Sequence, residues 1–224
     1  MRHVYFIRHG QAQAGASGMD RDFFLTATGA LQVEALGRHL HETGVQPAII
    51  FSSCLTRARQ TAEILRKYVP APLKLRNDII EHGSQAYLDD GSLQEAALRY
   101  PRALTADGLL KTLNPEGCVW WKFSIGGETV RQLHSRARRA WNDILAEMPD
   151  GEQGNQPVLI VSHGSFLSAM LTEILQLSLN GVWRFNFANA GVIALGLHQG
   201  SDGVMRPILT ALAPHVTSAE ESAV

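Results

Sequence analysis

Two apolar runs in this chain end the same way. Phe6-Ile7-Arg8-His9-Gly10 and Ile160-Val161-Ser162-His163-Gly164 each place a histidine and a glycine just past residues of strand character. In open α/β sheets the carboxyl ends of strands line the ligand crevice, so these two histidines can meet although they lie far apart in sequence. Glycine at each end lets backbone N–H groups come close to an anion. Arg8 stands beside the first histidine, and Arg57 near the start of a helical stretch that follows another apolar run. Two fixed guanidinium charges make the expected guest an anion. A phosphoryl group suits the set best, because its oxygens need clamping while a neutral imidazole attacks phosphorus. Each histidine alone reads as an ordinary hydrogen-bonded loop residue; the conjunction points to chemistry.

A leaving alkoxide needs a proton donor. Glu81 follows the apolar Ile79-Ile80, read as a further strand end, and is the candidate general acid, with Asp78 and Glu128 as competitors. His82, next to it, is a candidate for tuning the acid or touching substrate, although neighbours along a strand point in opposite directions. His39 and His41 lie two apart on a helix and share no face, and Cys54 and Cys118 have no paired spacing, so neither metal ligation nor a disulfide framework is expected. A reducing, cytoplasmic setting follows.

The elements that must position these residues alternate. Val4 to Ile7 reads as a buried strand emptying into Arg8-His9-Gly10, and Thr28 to Thr43 as a helix with Gly44 at its C-terminal cap. Ala48 to Phe51 is a second strand, Leu55 to Val69 an amphipathic helix closed by Pro70, and Leu73 to Leu75 a weaker strand. Residues 82 to 127 carry irregular patterning, several glycines and the Trp120-Trp121 pair, and read as an inserted lid whose tryptophans either pack it down or wall a pocket. A long helix spans Val130 to Met148 with Arg131, Arg138 and Arg139 on its solvated side. Val158 to Val161 is the clearest strand, Phe166 to Leu177 a helix, and Val192 to Leu195 a last strand, expected at a sheet edge where another chain could pair. The alternation predicts an α/β three-layer sandwich: a mainly parallel central sheet, helices on both faces, and the lid. One domain over 1–213 and a flexible tail over 214–224 are expected.

With 224 residues, 45% of them hydrophobic and 18% charged, the chain is neither disordered nor membrane-spanning in character. A net charge of −1 gives no global basic field, which excludes nucleic acid as an expected partner. The basic residues divide as 16 Arg and 4 Lys, so single arginines must be judged by position.

Taken together the motifs resemble the histidine phosphatase superfamily, also called phosphoglycerate-mutase-like, and within it the phosphatase branch. Arg8-His9-Gly10 matches the R-H-G signature, and Ser53-Cys54-Leu55-Thr56-Arg57-Ala58-Arg59-Gln60-Thr61-Ala62 the second arginine motif. Gly126-Gly127-Glu128-Thr129 looks like the G-G-E-[ST] element and Val161-Ser162-His163-Gly164 like the second histidine motif, while Leu25-Thr26, Gly29 and Gln32 also fit. The resemblance implies that His9 becomes phosphorylated, that Arg8, Arg57, His163 and Gly164 hold the phosphoryl group, and that Glu81 protonates the leaving group before water attacks, without a metal or other cofactor. It implies a small phosphorylated substrate or a phosphoprotein, with Gln11 and His82 as candidate substrate contacts. The alternatives are a phosphoglycerate-type mutase and a catalytically silent module that binds a phosphorylated ligand. After the signature the chain reads Gln11-Ala12-Gln13-Ala14 where many relatives carry Ser or Thr and then Asn.

Overall fold

The computed structural model describes residues 1–13, 23–83, 124–125, 128–149, 154–177, 185–199 and 205–212. Most of the expected lid, including Trp120-Trp121, and the tail from 214 lie outside the described residues.

The core of the molecule is a six-stranded sheet. Its strands are β1 (Arg2–Arg8), β2 (Ile49–Ser53), β3 (Leu73–Arg76), β6 (Val158–Ser162), β7 (Val192–Gln199) and β8 (Met205–Leu212). They lie in the order β3-β2-β6-β1-β7-β8. The four strands β3, β2, β6 and β1 are mutually parallel, whereas β7 runs antiparallel to β1 and β8 antiparallel to β7. The short β4 (Ser124–Ile125) and β5 (Glu128–Thr129) pair in a separate antiparallel ribbon.

Covering both faces explains the uninterrupted apolar runs Val4 to Ile7, Ile49 to Phe51 and Val158 to Val161 within the inner strands. On one side α1 (Ala27–Glu42) and α2 (Thr56–Tyr68) pack over Ile7, Ile50, Leu159 and Val161. On the other, α3 (Val130–Glu147) and α4 (Gly164–Ile174) pack over Val4, Phe6, Phe51, Val158 and Ile160. Successive strand residues thus feed opposite layers, and all five residues of β6 are buried. Truncating any of its leucine or isoleucine side chains to alanine costs ~2–5 kcal/mol.

The three-layer α/β architecture agrees with the sequence pattern; three details differ. The strand over Val192 is not at an edge, since β7 lies between β1 and β8, and β8 itself is not apparent from the sequence pattern. Its Pro207 suppresses a strand reading, yet a residue without an N–H is tolerated on an outermost strand. Ile79 and Ile80 are buried but do not form a strand; they follow β3 in irregular backbone, and Ile79 joins the core layer under α3 and α4. Burial without period is the same signal in either conformation.

Candidate active site

Register fixes the two histidines. Arg8 pairs with Ser162 across the parallel β1–β6 ladder, so His9 and His163 leave adjacent strands at the same level. Their rings meet edge to face, 5.1 Å between centroids. Both are buried, His9 6% exposed and His163 fully enclosed.

The protonation pattern of His9 follows from its partners. Arg57 Nε donates to His9 Nε2 at 3.1 Å, and a guanidinium can only donate, so Nε2 carries a lone pair. The ring proton then sits on Nδ1, which donates to Gly10 O at 2.7 Å. Burial, with the charges of Arg57 and Arg8 in support, pushes the His9 pKa down to about 3, so the imidazole is neutral at physiological pH. The His163 pKa is pushed well below its ordinary value, by burial first and then by Arg57, so this imidazole is neutral too. Its Nε2 lies 2.8 Å from Ser53 Oγ, while Nδ1 is buried with no hydrogen-bond partner among the described residues.

The arginines are braced from behind. Arg57, 7% exposed, lies in the first turn of α2, and its carbonyl accepts from Thr61 Oγ1, which in turn accepts from Gly10 N. Arg8 Nη1 donates to Phe187 O at 2.6 Å, leaving its buried Nε without a partner among the described residues. Burial lowers the Arg8 pKa and Glu81 opposes the shift. Gly164 opens α4 beside this guanidinium: a Cβ there would lie 3.5 Å from Arg8 Nε. The first N–H groups of a helix have no intrahelical acceptor, so this end of α4 adds donors to the cluster.

Glu81 reaches the same corner from a different direction. Its Oε1 accepts from Phe166 N in the first turn of α4, at 3.2 Å, and from His82 N at 2.8 Å. The two competing carboxylates are engaged elsewhere. Asp78 receives two hydrogen bonds from Arg76, and Glu128 is gripped bidentately by Arg136, both at 2.8 Å.

Arg8, His9, Arg57, His163 and Gly164 therefore converge, with Glu81 on the same helix end. Gln11 and His82 each make a side-chain hydrogen bond outside this cluster. Gln11 Oε1 accepts from Thr26 Oγ1 at 2.7 Å, and His82, 4% exposed, has Nε2 2.9 Å from Glu128 O. Ser53, Thr61 and Arg136 do not stand out as site residues in the sequence alone. Arg136 carries one signal, because it falls on the buried stripe with Leu133, Ala137 and Ala140.

The remaining motif residues shape the loop after His9. Thr26 caps α1 by accepting from Gly29 N, Gln32 Oε1 accepts from Gln11 N, and Gln60 Oε1 accepts from Leu25 N. The backbones touch where the loop crosses α1: a Cβ on Gly29 would lie 1.9 Å from Gln11 O, and one on Gly10 2.4 Å from Gly29 O. Among the described residues no three His, Cys, Asp or Glu side chains converge as a metal cluster would require.

Fold and cluster define an α/β protein that gathers two neutral imidazoles and two guanidinium groups at the carboxyl ends of its parallel strands. Residues 4–207 match the model of the histidine phosphatase superfamily (branch 1), and the chain belongs to that family. Among curated relatives it is 34% identical over 114 residues to the mitochondrial serine/threonine-protein phosphatase PGAM5 of Xenopus tropicalis, a match covering 44% of this chain and 40% of the relative. The matched region thus spans well under half of that protein. The chain is 28% identical over 233 residues to the probable phosphoglycerate mutase GpmB of Erwinia tasmaniensis, covering 100% of this chain and 97% of the relative. Among solved structures, a mycobacterial glucosyl-3-phosphoglycerate phosphatase in complex with VO3 superposes with a TM-score of 0.67 at 22% identity, covering 94% and 98% of the two chains. At that identity the likeness is one of fold.

Proposed function

We propose that this chain is a metal-independent phosphatase that hydrolyses a phosphomonoester through a phosphohistidine on His9. One observation carries the reading: His9 keeps its proton on Nδ1 and presents the Nε2 lone pair to Arg57, inside a buried cluster of guanidinium groups. A nucleophile of this kind needs no separate base to activate it, and burial with positive neighbours keeps it unprotonated.

In the first step the Nε2 lone pair attacks phosphorus and the P–O ester bond breaks. Arg57 exchanges its bond to Nε2 for the phosphoryl oxygens, joined by Arg8 Nε, His163 Nδ1 and the N–H end of α4 at Gly164. Glu81 delivers its carboxyl proton to the leaving alkoxide. In the second step the Glu81 carboxylate takes a proton from water, the hydroxide attacks phosphorus, and the P–N bond electrons return to Nε2. A covalent intermediate splits one difficult displacement into two easier ones, and oriented donors stabilise charge as it develops. Ser53 sets the tautomer of His163: its hydroxyl donates to Nε2, which leaves the proton on Nδ1, facing the phosphoryl oxygens.

The substrate is a small phosphorylated molecule or a phosphoprotein, both classes being named among the relatives. Gln11 is exposed, and its amide nitrogen is our candidate for contacting the part of the substrate beyond the phosphate. No described helix is long and apolar enough to cross a membrane. We place the protein in the cytoplasm on its two cysteines, which lack disulfide or metal spacing; fractionation finding the full chain in an oxidising compartment would refute this.

Phosphate release from a panel of phosphomonoesters in chelator-treated buffer tests the activity, with His9→Ala as control. Retained turnover in His9→Ala would overturn the assignment. The full-length match to a probable phosphoglycerate mutase supports a second reading, return of the phosphoryl group to another hydroxyl. Phosphoglycerate isomerised without phosphate release would establish it.

A further inference from the structure

We infer that Arg136, locked to Glu128, is the positioning residue that places the general acid Glu81; this rests on the assignment of Glu81 as the acid in the proposed reaction. Glu81 lies between two turns rather than on a regular element, so no strand ladder fixes where its carboxyl points. Side chains take the place of that ladder. Arg136 Nη1 donates to Asp78 O and Ile80 O, both at 2.9 Å, and Nη2 reaches Glu81 O at 3.5 Å. Ser162 Oγ donates to Ile79 O at 2.6 Å. Every carbonyl from 78 to 81 is therefore held by a side chain, three of the four by one guanidinium.

The same guanidinium touches the other end of the arrangement. Its carbon lies 4.7 Å from the centre of the Phe166 ring, and Phe166 N is a donor to the Glu81 carboxylate. Glu128 completes the grip past the acid: Oε2 accepts from Gly83 N at 3.0 Å, and its carbonyl meets His82 Nε2. Arg136 is 7% and Glu128 8% exposed. A planar fork with five fixed donors can hold a bidentate carboxylate and several carbonyls together, which a lysine cannot. The hydrogen bonds of Arg136 and Glu128 run to the segment that carries Glu81, so the pair acts on the site by aiming the acid.

A general acid matters in proportion to the basicity of the leaving group. The test compares an alkyl phosphate with p-nitrophenyl phosphate on the same samples of wild type, Arg136→Lys, Glu128→Gln, Glu81→Ala and the double variant Arg136→Lys/Glu81→Ala. Because each value is a ratio within one sample, partial unfolding of a variant cancels. Glu81→Ala should lose roughly 10²–10⁴-fold on the alkyl ester and far less on the aryl ester. Arg136→Lys and Glu128→Gln should shift the ratio in the same direction by about tenfold or more, and Arg136→Lys should add no further shift in the Glu81→Ala background, since the two act through one group. If Glu81→Ala shows no preference for the aryl ester, the acid assignment itself fails. If it does, and Arg136→Lys and Glu128→Gln lower both rates equally, the positioning role is overturned and the pair is structural only.

Discussion

Arg57 Nε donates to His9 Nε2 across 3.1 Å, so the atom proposed to attack phosphorus is, at rest, hydrogen-bonded by the residue proposed to bind it. The contact holds the ring in its reactive tautomer and keeps an arginine within reach of the incoming phosphate. Arg57→Met should lower kcat by roughly 10²–10³-fold, the scale of losing one oriented donor. It should also raise the His9 pKa from about 3, because the second cause of the depression is removed, while burial, the first, keeps it below the ordinary value. Imidazole titration by NMR reads the shift; an unchanged or lower pKa would contradict this.

Stability should fall on the acid side. His9 and His163 titrate near 6.5 in an unfolded chain but well below that in the fold, His9 at about 3. Above about pH 6.5 neither state binds the extra proton and their full contribution is present. Between about 6.5 and 3 the unfolded chain takes up protons that the fold refuses, at a loss of ~1.4 kcal/mol per pH unit per histidine. Buried His82 and His134 act in the same direction. Thermal melts should show Tm dropping as pH is lowered below about 6.5, with a shallower slope in His163→Gln; a Tm that rises on acidification would be the wrong sign.

Ser53→Ala removes the hydroxyl at 2.8 Å that orients His163 and leaves the ring free to move its proton to Nε2. Activity should drop roughly 10- to 100-fold, the range seen when hydrogen-bond partners that orient metal-bound histidines are lost. Ser53→Thr, which keeps the hydroxyl, should recover part of the loss. Equal activity in Ser53→Ala and wild type would remove Ser53 from the site.

Gly29→Ala probes the crossing of the nucleophile loop over α1. The new Cβ would meet Gln11 O at 1.9 Å, a backbone atom that cannot swing aside, so the loop after His9 must move. Destabilisation of at least ~1–3 kcal/mol, as for other overpacked sites, should accompany reduced turnover. Gly44→Ala is the control, at φ +73° with open space around it. It should cost ~1 kcal/mol through backbone strain alone and leave turnover intact. Urea melts and turnover measured on both variants separate crowding from conformation; full activity in a destabilised Gly29→Ala would show that the crossing does not set the loop.

Much of this architecture is legible in the residues because strand and helix periods differ and both histidines follow uninterrupted apolar runs. Val158 to Val161 announces a strand covered on two faces, and the helix stripes at Leu55 to Val69 and Val130 to Met148 fall within a residue or two of α2 and α3. The approach of Arg8, His9 and His163 is readable from strand ends, and that of Arg57 from the start of the helix that follows β2. What stays hidden depends on three dimensions. Ile79-Ile80 looks like a strand because the sequence reports burial, not hydrogen bonding. Asp78 and Glu128 look as available as Glu81 until Arg76 and Arg136 are seen to occupy them. Ser53 reaches His163 across 110 positions of sequence, a separation that no local pattern encodes.

The central claim is a phosphoryl group carried on His9 Nε2, and the most direct measurement is to catch it. Turnover of p-nitrophenyl phosphate quenched in alkali, where phosphohistidine survives, followed by intact-mass and fragment analysis, should show one added phosphoryl group on the peptide containing His9 in wild type and none in His9→Ala. Steady turnover by wild type with no trapped adduct, together with an active His9→Ala, would contradict the claim.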